Sequence, residues 1–304
     1  MNKQNGYTLI ELMIASLIGV IIITGMLNFF ITTNRSVSLS DALSQNQETG
    51  RFTMDYLTKF IRLAGYTEDF TQYTPPLFIP APGISCTAAD ASSGVSASSD
   101  FDACAQNNAA GALGDRLSIP FAVTDEAGSE TRTCSGIEVG GANGQQNLVN
   151  VFWVDGILPA DGGQNYKELR CQTYNRDTND WLVNAAGDVQ GPVSLINNVE
   201  GLEFLVGIAA TDQDKDAARY VNLDSITSAA TPISINRIRS IRIALLTTSA
   251  NDLNENEVQS NRRQRSYGVL DAPILDYTFT DGSLRNIFMN TIELPNMIES
   301  SGSN

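Results

Sequence analysis

The sequence contains no histidine. The side chain that most often acts as a general base near neutral pH, and most often ligates transition metals, is therefore missing. A G-x-S-x-G nucleophile turn, a Walker A phosphate loop and a dinucleotide-binding glycine fingerprint are absent as well. The expectation is a protein that is not an enzyme and carries no cofactor. Basic residues are scarce, 19 Lys and Arg against 34 Asp and Glu, for a net charge of −15. Sequence-independent nucleic-acid binding needs cations to neutralise phosphates, so no nucleic-acid partner is expected. A local exception is "NRRQRS", with Arg262, Arg263 and Arg265. It reads as a solvated loop, with a docking patch for an acidic partner as the lesser alternative.

Proline is missing before Pro75, and charge is missing from Leu12 to Ile31. Those twenty uncharged residues, at about 1.5 Å per residue in a helix, cover the roughly 30 Å hydrocarbon core of a bilayer. One carboxylate, Glu11, stands at the entrance to the run. An ionised group in a bilayer is disfavoured by about 2.5 to 3.5 kcal/mol and calls for a partner. A cleaved secretory signal fits poorly, because the run is too long, contains Glu11 and is followed by Met26-Leu-Asn-Phe-Phe-Ile rather than by a small-x-small site. A plain signal anchor would leave Glu11 snorkelling toward the headgroups with no further task. Lys3 on the short N-terminal flank orients the span with that flank inside, placing residues 32–304 in a periplasm-like compartment.

Gly6-Tyr7-Thr8-Leu9-Ile10-Glu11-Leu12 resembles the type IV prepilin motif, a short polar leader ending in glycine, then an aromatic residue and T-L-I-E-L entering an apolar helix. The resemblance implies cleavage after Gly6 by a prepilin peptidase and N-methylation of the new terminus, here Tyr7 where the family usually has phenylalanine. It also implies a partner for Glu11, the amine that processing creates on a neighbouring subunit. Each charge is costly alone in apolar surroundings and much less so when paired, so the pair would act as a register pin between helices.

The cysteines are Cys86, Cys104, Cys134 and Cys171, with no C-x-x-C spacing. The absence of that spacing argues against a thioredoxin-like centre or a zinc knuckle. An even number in an exported domain predicts two disulfides, with three pairings open. We favour Cys86 with Cys104, closing the "TAADASSGVSASSDFDA" loop, and Cys134 with Cys171, joining neighbouring strands. In "TDQDKDAARY", Asp212, Asp214 and Asp216 alternate like the first ligands of a calcium loop, but Ala217 and Leu223 stand where that loop wants Gly and Glu. The default reading is a polar turn and no metal.

Helical signals run on from Tyr7 to Ala64 with a stop at Gly65. Glu48, Arg51, Asp55, Lys59 and Arg62 form a charged stripe of alternating sign suited to i,i+4 attractions, and Leu57, Phe60, Ile61 and Ala64 form an apolar one. Residues 66–114, rich in proline, serine and alanine, read as surface loop. Five β-type runs follow, "RLSIPFAVT", "NLVNVFWVDG", "YKELRCQTY", "VEGLEFLVGIA" and "RSIRIALLTTS". In the last, Ile241, Ile243 and Leu245 alternate with Arg242 and Ala244 as in a strand with one buried face.

The expected fold is α+β, with a long N-terminal helix, membrane-spanning in its first half, packed on an antiparallel β-sheet head. Its parts are a leader at 1–6, a transmembrane half-helix at 7–31, an amphipathic periplasmic half at 32–65 and a β-rich head at 66–304. "FIRLAGY", "NNVEGLEFLVG", "INRIRSIRIALLTTS" and "LRN" (284–286) are similar to the PilW-type minor pilins in particular. That resemblance implies an inner-membrane protein with a periplasmic head that primes filament growth at or near a pilus tip. It also implies partners among other minor pilins, the major pilin, a tip adhesin and inner-membrane lipid. The alternatives are a J-type pseudopilin of type II secretion and a membrane-anchored periplasmic binding protein.

Overall fold

The computed structural model describes residues 8–68, 74–79, 103–108, 113–125, 131–140, 144–157, 166–183, 191–227, 233–249, 265–272, 277–279 and 283–299. Its first element is one helix, α1, Leu9–Ile61, 53 residues long, or about 80 Å. A capping box starts it. The Thr8 hydroxyl accepts from Glu11 N at 3.4 Å, and the Glu11 carboxylate accepts from Thr8 N at 3.1 Å. Along the apolar half, the hydroxyls of Ser16, Thr24 and Thr32 donate to the carbonyls of Met13, Val20 and Asn28 at 2.9, 2.8 and 2.8 Å. Each polar group is thus satisfied by its own helix, as an apolar medium requires.

Nothing among the described residues of the head covers that half. From Leu9 to Asp41 the helix is exposed but for half-buried Gly19, and its first buried residue is Ala42. From there Asn46, Gly50, Thr53, Met54, Leu57, Phe60 and Ile61 turn inward at helical spacing. The helix closes at Ile61, short of the expected Ala64, because Arg62 to Gly65 tighten into a turn. There Leu63 N and Ala64 N donate to Phe60 O and Ile61 O. Gly65 takes φ +73°, the left-handed conformation that terminates helices. The charged stripe from Glu48 to Arg62 is exposed as expected, but no ion pair joins its members, so it gains nothing from the i,i+4 attractions its spacing offers.

The head carries two antiparallel sheets. The first runs β1 (Leu117–Val123), β4 (Gln146–Ile157) and β5 (Tyr166–Asn175), with β6 (Asp180–Trp181) and β7 (Val193–Asn197) both pairing with β5. A hairpin of β2 (Thr131–Arg132) and β3 (Glu138–Val139) lies between β1 and β4 in the chain. The second sheet runs β13 (Arg285–Glu293), β10 (Ile238–Thr248), β8 (Val199–Ile208) and β9 (Arg219–Val221). Two short strands, β11 (Arg265–Ser266) and β12 (Thr278–Phe279), pair with each other, and one-turn helices α2 (Asp224–Thr227) and α3 (Asn296–Glu299) and a 3-10 turn at Ile235–Arg237 complete the described elements.

The main core joins the inward face of α1 to both sheets: Leu57, Phe60 and Ile61 meet Ile119, Phe152, Leu169, Phe204 and Ile243. The five expected strands correspond to β1, β4, β5, β8 and β10. Strand β10 departs from the expected single buried face, since Ala244 and Leu246 on its other side are fully buried against Val269 and Tyr277. Residues 265–272 and 277–279 lie over that face as a strap. The described residues of the 66–114 region also depart from the surface reading. Leu77 enters the main core, and Phe78 packs with Ala103, Cys104, Trp153 and Tyr174 on the opposite side of the first sheet. An apolar triplet, Leu77-Phe78-Ile79, outweighs the prolines before it, because burying each such side chain is worth about 1.5–3 kcal/mol.

Candidate functional site

The exposed apolar half of α1 begins at Thr8–Glu11. Glu11 Oε2 accepts from Thr8 N and, at 3.2 Å, from the Thr8 hydroxyl, while Oε1 accepts nothing among the described residues. Within the monomer the carboxylate is therefore part of a helix cap, set where the positive end of the helix dipole favours a negative charge. Gly6 and Tyr7 lie outside the described residues.

Cys134, after β2, and Cys171, on β5, are joined by a disulfide whose Cα atoms stand 6.2 Å apart. It fastens the β2–β3 hairpin to the first sheet. The Tyr56 hydroxyl of α1 reaches the same place, donating to Cys134 O at 2.9 Å. Cys104 is disulfide-bonded as well. Cys86, its expected partner, is outside the described residues, as are Arg262 and Arg263. Arg265 is exposed on β11.

The Asp212–Asp214–Asp216 loop carries its own cation. Buried Arg239 on β10 donates from Nε to Asp214 O at 2.7 Å and from Nη2 to Asp212 O at 2.6 Å, and Nη1 donates to Asn236 O and Ile238 O. Asp214 accepts from Thr211 N and its hydroxyl at 2.8 and 2.9 Å. The carbonyls that a calcium loop would turn toward an ion are occupied by a guanidinium, and the aspartates are exposed.

Three polar centres were not anticipated from the sequence. Asn46 is fully buried between α1 and the second sheet, its amide donating to Leu284 O at 3.0 Å and accepting from the Thr247 hydroxyl. Asn296 of α3 donates to Arg62 O and Ala64 O, both at 3.1 Å, capping the far end of α1 from the end of the chain. Third, Asp115 and Glu203 face each other at the seam between the sheets, each about 1% exposed. Burial pushes both carboxyls up, Asp115 to about 6 and Glu203 to about 9, and the Asp115 charge adds to the rise of Glu203. One sequence signal could have pointed to this centre: a glutamate inside the apolar run "VEGLEFLVGI".

A protein-family model described as Prokaryotic N-terminal methylation motif matches residues 1–27, and one described as Type IV Pilus-assembly protein W matches residues 159–296. Among solved structures, a type IV-like pilin from Thermus thermophilus is similar at 18% identity, with 64% of this chain and 82% of that chain covered and a TM-score of 0.30. No curated protein matches. The methylation motif lies over the start of α1 and the pilus-assembly model over the strands from β5 to β13, and together the two matches support a PilW-type minor pilin of type IV pili.

Proposed function

We propose that this chain is processed after Gly6, held in the inner membrane by the first half of α1, and taken up with other minor pilins into a complex that primes filament growth at or near the tip. The observation that carries the reading is the uncovered helix. From Leu9 to Asp41 no side chain is buried against the head, although Leu9, Leu12, Met13, Leu17, Phe29 and Phe30 are each more than half exposed. So much apolar surface is stable in lipid, or among like helices in a filament core, and in neither water nor the head. Glu11 then has two successive partners. In the monomer it caps its own helix; in the filament its carboxylate receives the Tyr7 amine of an adjoining subunit and sets how far one helix slides along the other.

The prepilin peptidase, the major pilin, fellow minor pilins, inner-membrane lipid and a tip adhesin are the partners this role requires. Intact-mass analysis of membrane-extracted protein tests it. The expected chain begins at methylated Tyr7, and a chain beginning at Met1 in cells with working peptidase overturns the reading in favour of an anchored periplasmic protein.

A further inference from the structure

The seam between the two sheets holds a device that pilus assembly does not account for. Residues 113–115 stitch the sheets together. Leu113 N donates to Val154 O of β4 at 2.9 Å, and Asp115 N donates to Leu202 O of β8 at 2.7 Å. The Asp115 carboxylate completes the stitch, Oδ2 accepting from Phe204 N and Oδ1 from Asn108 N, both at 2.9 Å. Both its oxygens are thereby committed. Beside it, Glu203 Oε1 accepts from the Tyr277 hydroxyl at 2.6 Å, while Oε2 is buried and no donor among the described residues reaches it.

Tyr277 belongs to the strap over β10, and its ring fits because two glycines face it. A Cβ at Gly201 would overlap the ring, and one at Gly114, where φ is +99°, would come within 2.5 Å of the hydroxyl and 2.8 Å of Glu203 Oε1. The groups facing the pair are Asp115, Tyr277 and the nearby Asp271, which adds a third negative charge. Neighbouring Arg116 turns away, donating to Cys104 O and Gln106 Oε1 at 2.8 and 2.9 Å. Two buried carboxyls with no cation between them among the described residues are compatible with one negative charge and not with two.

We propose that Asp115 and Glu203 form a proton-dependent latch: a proton on Glu203 holds the Tyr277 strap on the outer face of the second sheet, and its loss to solvent releases the strap. With the proton in place, Glu203 Oε2 is a hydroxyl facing an anion and Oε1 remains an acceptor for Tyr277. Once it leaves, two carboxylates share a dry site, and they are relieved by withdrawing Tyr277 so that water reaches Glu203. The latch is secure at acid and neutral pH and opens in alkali.

Hydrogen exchange of the full chain in detergent, followed by mass spectrometry from pH 6 to 10, tests this. After division by intrinsic chemical rates, opening at residues 265–272 and 277–279 is expected to rise about tenfold per pH unit up to about pH 9, one proton leaving per opening. Peptides within 238–248 should stay protected over the same range. In Glu203→Gln the strap should open to an extent independent of pH. A pH-independent wild-type strap overturns the proposal, and so does loss of protection in strap and β10 together, which would be unfolding of the whole head. Should the variant not fold, infrared spectroscopy of the wild type decides alone: a protonated-carboxyl band that persists at pH 7.5 and disappears near pH 9.5 supports the latch, and its absence at pH 7.5 overturns it.

Discussion

At the scale of single residues, the polar groups that matter most are those with no water. Asn46 joins α1 to partners 201 and 238 positions away in sequence, and nothing in "LSQNQE" marks it, because its partners are set only when the sheet closes over the helix. Truncating it as Asn46→Ala leaves Leu284 O and the Thr247 hydroxyl short of partners in a dry site. A loss of about 2 kcal/mol is expected, read from denaturant midpoints at constant slope. Glu203 predicts a pH dependence whose sign is fixed by its raised pKa. Between the ordinary carboxyl value and about 9, the folded chain binds a proton that the unfolded chain has released. Stability therefore falls as pH rises through that window, by at most about 1.4 kcal/mol per unit. Glu203→Gln should flatten the decline, so that unfolding midpoints of wild type and variant lie closer at pH 6 than at pH 9.

At the scale of elements, what could be read in advance was whatever repeats locally. The uncharged run and its missing prolines announce α1, and apolar alternation announces β1, β4, β5, β8 and β10. Strand β13 is not among the expected strands, because "IFMNTIE" mixes Asn and Thr among its apolar residues and its pairing comes from β10, about forty positions away. The second buried face of β10 was hidden for the same reason: its cover, the strap, is remote in sequence. Arg239 was legible as a basic residue in a strand but not as the internal cation of the 211–216 loop. Arg239→Met should cost roughly 2–3 kcal/mol and speed amide exchange in that loop. Where α1 meets β13, Gly50 lies so close to the Phe288 ring that a Cβ would overlap it. Gly50→Ala is expected to destabilise by about 1–3 kcal/mol. Combining it with Phe288→Leu should recover part of the loss, a coupling that a double-mutant cycle measures.

At the scale of the whole molecule, α1 divides the chain into a half that the head stabilises and a half that it leaves bare. The division falls at Ala42, some ten residues past the end of the apolar run, so an exposed polar stem separates membrane from head. The proposed function places assembly contacts in the bare half, where Glu11 is the only ionisable side chain between Thr8 and Asn34. On the proposed reading the carboxylate serves two roles, an observed cap and a register pin, that a single substitution can separate. Gln preserves the capping geometry, since an amide oxygen accepts from Thr8 N as a carboxylate does, but it cannot neutralise an incoming amine. Ala removes both. If the charge sets the register, Glu11→Gln and Glu11→Ala should both insert in the membrane at wild-type levels and both be missing from sheared pili. If only the cap matters, Glu11→Gln should enter filaments normally while Glu11→Ala fails. Immunoblots of membrane and sheared-pilus fractions separate these outcomes, and normal incorporation of the Gln variant would end the register-pin account, because no charge would remain at that depth to pair with the amine.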